Sequence, residues 1–355
     1  MQSNPTSYFL FSQIFEVVEV GLNGKARENL LRRITSLTGF KRPEIVVEPD
    51  PYLDAGVEDL EKEFRIYSVD PCLGVPEHHL GFLAFHFAAS DVTVMGGEPF
   101  LAIPDMIFPP NYPEERILSI MRQIHEQALK YNTSIITGHT GRYTAIREPI
   151  VSCAVLGKAK KLLLPSNVGE GDLILVSGWI GGELLYALSN FKPELLRKRF
   201  GDYLVESWVN YHEKMTVVDS ALALSRAGLA VAMKDGAEGG LIRAMNDLAS
   251  AANLGFHIDM NELPIPEEIL LLSKEFDFDP LSASSSGVLI AIVKKGMEEE
   301  ALNLLRSLGL RCSVAGEMKG EKEERYIMRD GKLVSFPLIV EDPYTKLISL
   351  TNHSN

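Results

Sequence analysis

The longest regular hydrophobic pattern of the chain lies within residues 67–104. Its apolar residues recur at helical spacing, at Leu80, Leu83, Ala84, Phe87, Ala88 and Val92. This spacing predicts a core-packed helix over residues 79–95. A strand ending at Asp70 is predicted before the helix, and the turn at Gly96 and Gly97 leads into a further strand. This strand–helix–strand unit is the element around which we expect the first half of the chain to be organised.

Strands and helices alternate on both sides of this unit. Further strands are predicted at residues 64–69, 99–103, 134–137, 150–156, 172–176, 288–293 and 311–316, with a hairpin at 330–331. Further helices are predicted at residues 24–37, 114–131, 178–188 and 203–227, and one begins near Gly240. The pattern indicates an α/β (α+β) protein with a linker around Pro165 and Gly169. The expected divisions are an N-terminal helical segment (1–43), two domains (44–160 and 170–320) and a C-terminal tail (321–355).

Two acids interrupt this apolar unit, Asp70 at the strand end and Asp91 within the helix. A carboxylate in such a run destabilises the fold unless a partner compensates its charge. Each acid alone is also explained by a turn, a helix cap or an ion pair. A third acid, Asp54, lies in a small-residue turn before the strand. Convergence of these acids on a cation or a phosphate–metal complex is the hypothesis that explains them together.

Composition narrows the possible functions. The chain has 355 residues, enough for two cores, with 46% hydrophobic and 23% charged residues. Acids outnumber bases by 48 to 35, for a net charge of −13, which argues against a general nucleic-acid binder. A single phosphorylated ligand remains compatible with this charge, because bound Mg²⁺ supplies positive charge locally.

Cysteine usage and the apolar runs indicate the compartment. Cys72, Cys153 and Cys312 form no CxxC pair, which fits a reducing cytoplasm and gives no zinc signature. The N-terminus lacks a basic region followed by an apolar core, so no signal peptide is expected. No apolar run approaches the ~20 residues of a membrane span. We therefore expect a soluble, cytoplasmic protein with no membrane partner.

Common catalytic and nucleotide motifs are missing from the sequence. It contains no GxxxxGK[ST], no GxGxxG after a strand, no GxSxG and no HExxH. Two glycine-containing turns remain. Gly138, His139 and Thr140 follow a buried strand and either offer backbone donors to phosphate or form a plain β-turn. The loop from Asp235 to Gly239 and Gly240 precedes a helix and either binds an anion or is capped by Asp235 or Glu238.

The order of these motifs resembles the aminoimidazole ribonucleotide synthetase (PurM) superfamily. The superfamily includes thiamine-monophosphate kinase, selenophosphate synthetase, formylglycinamide ribonucleotide amidotransferase and the hydrogenase-maturation protein HypE. The resemblance spans residues 44–318 and rests on the strand-end acid, Ser90-Asp91, Met95-Gly96-Gly97-x-Pro99, Gly-x-Thr140, Asp235-Gly-Ala-Glu-Gly239-Gly240-Leu241, Asn253-Leu-Gly255, Pro264-Ile-Pro266 and Ser285-Ser286-Gly287. One fragment would be weak evidence, whereas the whole series in order is specific.

The resemblance implies a two-domain PurM-like fold whose N-terminal sheet joins that of a partner in a dimeric barrel. It implies ATP in a groove at the sheet, with Mg²⁺ bridging the phosphates to acids. Carried over position by position, Asp54, Asp70 and Asp91 would hold metal, and the two glycine-containing turns would bind the cofactor. Family chemistry phosphorylates an oxygen of a small substrate, where the protein contributes positioning and charge neutralisation. The resemblance assigns no catalytic residue.

Two departures from the family pattern affect the expected function. The family has Gly-Asp/Glu-Thr where this chain has Gly138-His139-Thr140, and imidazole ligates Mg²⁺ poorly compared with carboxylate. HypE ends in a Pro-Arg-Ile-Cys tail whose thiol carries the carbamoyl group, whereas Cys312 is the last cysteine here. We therefore expect a paralogue related to HypE or to the synthetase, without that thiol chemistry.

The sequence leaves two classes of function open. The first is an ATP- and Mg²⁺-dependent enzyme that transfers a phosphoryl group to a small oxygen-containing substrate. The second is a nucleotide-binding subunit without catalysis, or a scaffold for a hydrogenase-maturation partner protein. The acids Asp54, Asp70 and Asp91 favour the enzyme, because carboxylates in a desolvated groove are unfavourable without a cation. His139 favours the second class.

Overall fold

The computed structural model describes residue 26, residues 28–338 and residues 341–350 of the chain. The predicted helix at 24–37 appears as Glu28–Thr35, and residues 24, 25 and 27 lie outside the described part. The N-terminal segment judged for a signal peptide and the last five residues of the tail also lie outside it. None of the described helices is both long and apolar enough to cross a bilayer.

Helices and strands alternate along the described chain. The helices are α1 (Glu28–Thr35), α2 (Leu80–Val94), α3 (Glu114–Lys130), α4 (Gly182–Phe191), α5 (Pro193–Phe200), α6 (Asp202–Trp208), α7 (Val218–Ala227), α8 (Gly240–Ala252), α9 (Glu267–Phe276), α10 (Glu298–Ser307) and α11 (Pro343–Ile348). The strands are β1 (Ile45–Val47), β2 (Gly56–Asp59), β3 (Phe64–Cys72), β4 (Glu98–Phe108), β5 (Ser134–Ile135), β6 (His139–Arg142), β7 (Ile150–Ala159), β8 (Leu173–Ser177), β9 (Ala232–Gly236), β10 (Gly255–Asp259), β11 (Val288–Val293), β12 (Cys312–Lys319), β13 (Arg325–Arg329) and β14 (Lys332–Ser335).

The first half forms a mixed sheet in the order β1-β2-β3-β7-β4-β5, with β6 also beside β4. β7 is antiparallel to both β3 and β4, whereas β5 and β6 are parallel to β4. The register places Asp70 opposite Cys153 and Asp105 opposite both Ser152 and His139. The predicted unit of strand, helix and strand is therefore the centre of this domain.

The two faces of the first sheet differ in their surroundings. Alternate residues of β7 are buried beneath α2, as period-two side-chain direction requires. On the opposite face, Tyr67 and Val69 are 40% and 64% exposed. Ile103 and Leu156 on the same face are only half buried. This face presents an apolar strip to solvent in the described chain.

The second half forms a sheet in the order β14-β13-β10-β12-β8-β11-β9. Every residue of β11 is buried, as expected of a strand that is covered on both faces of the sheet. Ile174 and Val176 pack with Leu241 of α8, whereas Leu175 between them packs with Leu305 of α10. The hairpin predicted at residues 330–331 is the β13–β14 turn.

Helix α2 is shared by the two halves. It is buried on nearly all sides, because it packs on β3 and β7 on one side and on α7 and β9 on the other. His79 Nδ1 and Tyr186 Oη share a hydrogen bond of 2.8 Å, and His86 Nδ1 bonds Thr216 Oγ1 at 2.7 Å. These bonds fix the second half of the chain to the N-terminal end and the middle of α2.

Two predicted elements differ from the structure. The single helix expected over residues 203–227 is divided into α6 and α7 by a turn at Tyr211–Lys214. The Lys214 carbonyl oxygen lies 1.8 Å from where a Cβ of Gly287 would stand, so this turn packs directly against the Gly287 backbone. The turn expected at residues 138–141 instead begins strand β6, because it finds a free edge of β4.

The crossing of α2 and α3 gives a stability prediction. A Cβ at Gly81 would stand 2.1 Å from the Ile120 carbonyl oxygen, so Gly81→Ala should force the helices apart and lower the unfolding free energy by about 2–3 kcal/mol. Gly169→Ala is the matched control, because its nearest neighbour would be 3.7 Å away. Urea unfolding measures both, and equal midpoints for the two variants would contradict the close helix contact.

Candidate metal centre

Three carboxylates meet where the two halves of the chain join. Asp54 lies in the turn before β2, Asp91 in the last turn of α2 and Asp235 on β9. One oxygen from each lies within 4.8 Å of the others, and all three residues are partly buried. The fold thus brings together acids that are 37 and 144 positions apart in sequence.

The cluster shifts the proton affinity of its most enclosed member. Burial, followed by the charges of Asp70, Asp235 and Asp54, raises the pKa of Asp91 well above its usual range. Ser68 Oγ donates a hydrogen bond of 2.6 Å to Asp91 Oδ2, which opposes the rise in pKa. Ionised Asp91 is therefore unfavourable until a positive charge joins the group.

One such charge already belongs to the chain. Lys234 precedes Asp235 on β9, and its ammonium forms an ion pair with Asp54. The two side chains are only 7% and 11% exposed. Burial by itself lowers the pKa of Lys234, but Asp54, Asp247 and Asp235 together raise it above its ordinary value. Lys234 thus remains charged inside the groove.

The donor atoms of the cluster suit a hard cation. All three ligand atoms are carboxylate oxygens, which Mg²⁺ and Ca²⁺ prefer, and the group includes no thiolate or imidazole. The repulsion that raises the pKa of Asp91 is the repulsion that a divalent cation relieves. The residues present therefore fit a hard divalent cation such as Mg²⁺.

The remaining acid of the predicted metal set lies beside this group. Asp70 is on β3, two residues after Ser68 and on the same face of the sheet. Its charge is the strongest of those acting on Asp91. It is not one of the three residues whose oxygens converge, so its position fits contact with a phosphate-bound cation at the rim of the cluster.

The first glycine-containing turn lies away from the acids. His139 pairs with Asp105 on the exposed face of the first sheet, whereas Asp70 points to the α2 side. Three strand spacings, about 14 Å, separate β3 from β6. The His139 Nε2 atom shares a hydrogen bond of 2.7 Å with Tyr143 Oη, and Gly138 and Thr140 are exposed beside it. One cation within a single subunit cannot bind both His139 and Asp70.

The second glycine-containing turn has a partner that the sequence did not reveal. Gly239 and Gly240 begin α8 with positive φ angles of 80° and 58°. The Gly239 N–H donates to Asp342 Oδ2 at 2.8 Å, and Ser284 Oγ donates to the same oxygen at 2.6 Å. The N-cap residue of α8 is Gly239, which has no side chain to cap the helix itself. The carboxylate at this helix start therefore comes from the C-terminal tail.

Glu183 is a titratable residue that sequence reasoning missed. It lies in the first turn of α4 and accepts a hydrogen bond of 2.9 Å from the Ser286 N–H. Burial raises the pKa of Glu183 to about 7, with smaller contributions from Asp342 and Glu238. The glycine-rich stretch 178–182 before it was the available signal, because such turns place a helix start against another backbone.

Family models match both halves of the chain. The model described as AIR synthase related protein, N-terminal domain, matches residues 54–159, and the corresponding C-terminal domain model matches residues 169–329. These ranges contain the three converging acids, Lys234 and Glu183.

Several curated proteins resemble the chain over most of its length. A Methanocaldococcus jannaschii protein named for hydrogenase expression/formation is 29% identical over 90% of this chain and 96% of its own. Thiamine-monophosphate kinase of Pyrococcus horikoshii is 27% identical over 70% of this chain and 74% of its own. Carbamoyl dehydratase HypE of Rhizobium leguminosarum is 26% identical over 71% of each chain.

Solved structures share the two-domain α/β fold. A HypE–HypF complex has a TM-score of 0.69 at 17% identity, covering 86% of this chain and 99% of its own. HypE in complex with ATP has a TM-score of 0.64 at 20% identity, covering 89% of this chain and 96% of its own. These likenesses establish the fold, which agrees with the fold expected from the sequence.

The raised pKa of Glu183 gives a pH-dependent prediction. A carboxyl group with a folded pKa of about 7 and an ordinary value of 4.5 destabilises the folded state once it ionises. Its contribution to the unfolding free energy should fall by about 3 kcal/mol as pH rises from 4.5 to 7. Glu183→Gln removes this loss while its amide oxygen still accepts the Ser286 N–H.

Urea unfolding at pH 4, 6 and 8 checks this prediction. The stability of Glu183→Gln relative to the unmodified chain should rise across the series. The same substitution at the exposed Glu115 of α3 is the control. Parallel pH curves for the unmodified chain and Glu183→Gln would show that burial does not perturb this carboxyl.

Proposed function

Because this chain belongs to the AIR synthase related family, we propose that it is an ATP- and Mg²⁺-dependent enzyme that phosphorylates an oxygen atom of a small substrate. The observation that carries the proposal is the convergence of Asp54, Asp91 and Asp235 where the two halves of the chain join. Like charges held this close in a partly buried site favour binding of a divalent cation.

The residues of the groove have separable tasks in this proposal. Asp54, Asp91 and Asp235 hold Mg²⁺, which when bound neutralises phosphate charge, and Asp70 orients the cation from the rim. Glu183 retains a proton on its carboxyl group below about pH 7 and releases it above, so it is suited to exchange a proton with the substrate oxygen near neutrality.

The similar proteins support the class of chemistry and leave the acceptor open. One relative is named a kinase and another a dehydratase, and a HypE structure contains ATP. Nucleotide use is common to these names, whereas the acceptor differs among them. The substrate oxygen of this chain is therefore proposed only as a class.

A second candidate function is a nucleotide-binding subunit or scaffold for a maturation partner protein. The observation that favours it is His139, which replaces the family acid and lies on the sheet face opposite Asp70. A HypE–HypF complex among the structural neighbours is consistent with such a partner. In this alternative the three-acid cluster binds Mg²⁺ and nucleotide without turnover.

We also propose that the chain is a homodimer through the exposed face of the first sheet. Tyr67, Val69, Ile103 and Leu156 form an apolar strip on that face. Contiguous exposed apolar surface of this kind marks a protein interface. His139 is on the same face, so a second subunit would cover it.

Nucleotide binding and turnover test the proposed function. ATP with Mg²⁺ at about 100 times its dissociation constant should stabilise the chain by ~2.7 kcal/mol, and slow ADP release should accompany it. Asp91→Asn should lose both effects, because the cluster loses a ligand charge. Asp330→Asn in the β13–β14 turn is the control and should retain both.

The outcomes separate the two functions. Stabilisation with ADP release in the unmodified chain supports the enzyme. Stabilisation without ADP release, even after long incubation with candidate substrates, supports the nucleotide-binding subunit. Absence of any thermal shift in the unmodified chain would contradict both functions.

Light scattering during gel filtration tests the dimer. Val69→Glu should convert the dimer to a monomer, because it places a charge within the apolar strip. Leu129→Glu on α3 is the matched control, since both side chains are 64% exposed, and it should remain dimeric. A monomeric unmodified chain would contradict the dimer. A dimeric Val69→Glu variant would show that the dimer uses another surface.

A further inference from the structure

The lysine inside the acid cluster connects the two halves of the chain. The Lys234 ammonium belongs to β9 of the second half, and its partner Asp54 belongs to the first half. Both side chains are nearly enclosed, at 7% and 11% exposure. β9 is the edge strand of its sheet and faces α2, so its side chains reach the groove. This is a buried ion pair within the candidate metal centre.

The charges of the cluster leave room for one divalent cation. The converging carboxylates outnumber the single ammonium, and the charges of Asp70 and Asp247 add to the excess of negative charge. Asp54 takes part in both arrangements, as the partner of Lys234 and as a member of the converging group. An ammonium and a divalent cation that contact the same carboxylate lie within a few ångströms of each other and repel each other strongly. The metal and Lys234 therefore compete for Asp54.

We propose that Lys234 is a tethered counter-ion that holds Asp54 while the metal is absent and turns to the nucleotide phosphates when the metal binds. The first step follows from the ion pair and the three-acid cluster alone. The second step rests on the proposed function, because it requires a phosphorylated ligand. A lysine suits both positions, since its flexible stem carries a compact charge that binds carboxylate or phosphate.

The anchoring of Lys234 supports the exchange of partners. Its backbone is fixed by pairing with Ile290 of the fully buried strand β11. Movement is therefore expected in the side chain and not in the paired backbone of β9, which ends at Gly236. A displaced ammonium therefore stays within the groove, where the phosphates of a metal-bound nucleotide would lie beside the same acids.

Lys234→Met tests the counter-ion without nucleotide. In metal-free buffer its melting temperature should fall by about 5–10 °C, because the acids lose their partner. Titration calorimetry should show Mg²⁺ binding about tenfold tighter than in the unmodified chain, since the competitor is gone. Lys294→Met is the matched control, because Lys294 pairs with buried Asp172 at 2.7 Å in the same half. It should leave Mg²⁺ affinity unchanged.

A double variant protects this test against misfolding. Lys234→Met combined with Asp54→Asn removes both charges of the pair and should recover most of the lost melting temperature. Weaker or unchanged Mg²⁺ binding by Lys234→Met would contradict competition for Asp54. The lysine would then favour Mg²⁺ binding or have no effect on it.

A non-hydrolysable ATP analogue tests the second step. At saturating Mg²⁺, the analogue should bind Lys234→Met about tenfold more weakly, although bare Mg²⁺ binds more tightly. An increased affinity for Mg²⁺ together with a decreased affinity for the analogue is the result expected if Lys234 exchanges Asp54 for the phosphates. Tighter binding of both ligands would show that Lys234 only repels cations and would overturn the second step. Absence of analogue binding in the unmodified chain would reject the proposed function and the second step, while the bare-metal result still decides the first.

Discussion

Mutual repulsion among partly buried carboxylates is the constraint on which the centre of this structure depends. Asp91 lies on a helix that is buried on nearly all sides, and two more acids face it from other elements. Packing energy from α2 holds these charges together, because the helix contributes to the cores of both halves. The groove is thus a site where apolar burial maintains an electrostatic arrangement that is unfavourable by itself.

Part of this arrangement is readable from sequence. A carboxylate inside a helical apolar run, as at Asp91, requires a partner for its charge wherever the helix packs. Its functional interest is therefore visible from the local sequence. The same holds for Asp70 at a strand end and for the helix over residues 79–95, which the structure has as Leu80–Val94. The family resemblance adds Asp54 to them, whereas it assigned Asp235 to a cofactor-binding turn, so the membership of Asp235 in the acid cluster was not predicted.

The rest depends on contacts that no local pattern encodes. Lys234 meets Asp54 across 180 positions, and Asp342 reaches Gly239 across 103. The face on which His139 lies is set by its register against β4, and a shift of one residue would reverse it. Glu183 acquires its raised pKa from burial, so the glycine-rich turn before it signals the helix start but not the perturbed carboxyl. Long-range packing therefore decides which polar residues join the groove.

The position of α2 also has an evolutionary consequence. Separate family models match the two halves, as they would for modules that recombine independently. Yet α2 fills space in both cores, and His79 and His86 bond residues of the second half. A chimera that joined one half of this chain to the other half of a distant homologue would mismatch along the whole length of this helix. Inheritance of the two halves as a single unit is the expected history of such an architecture.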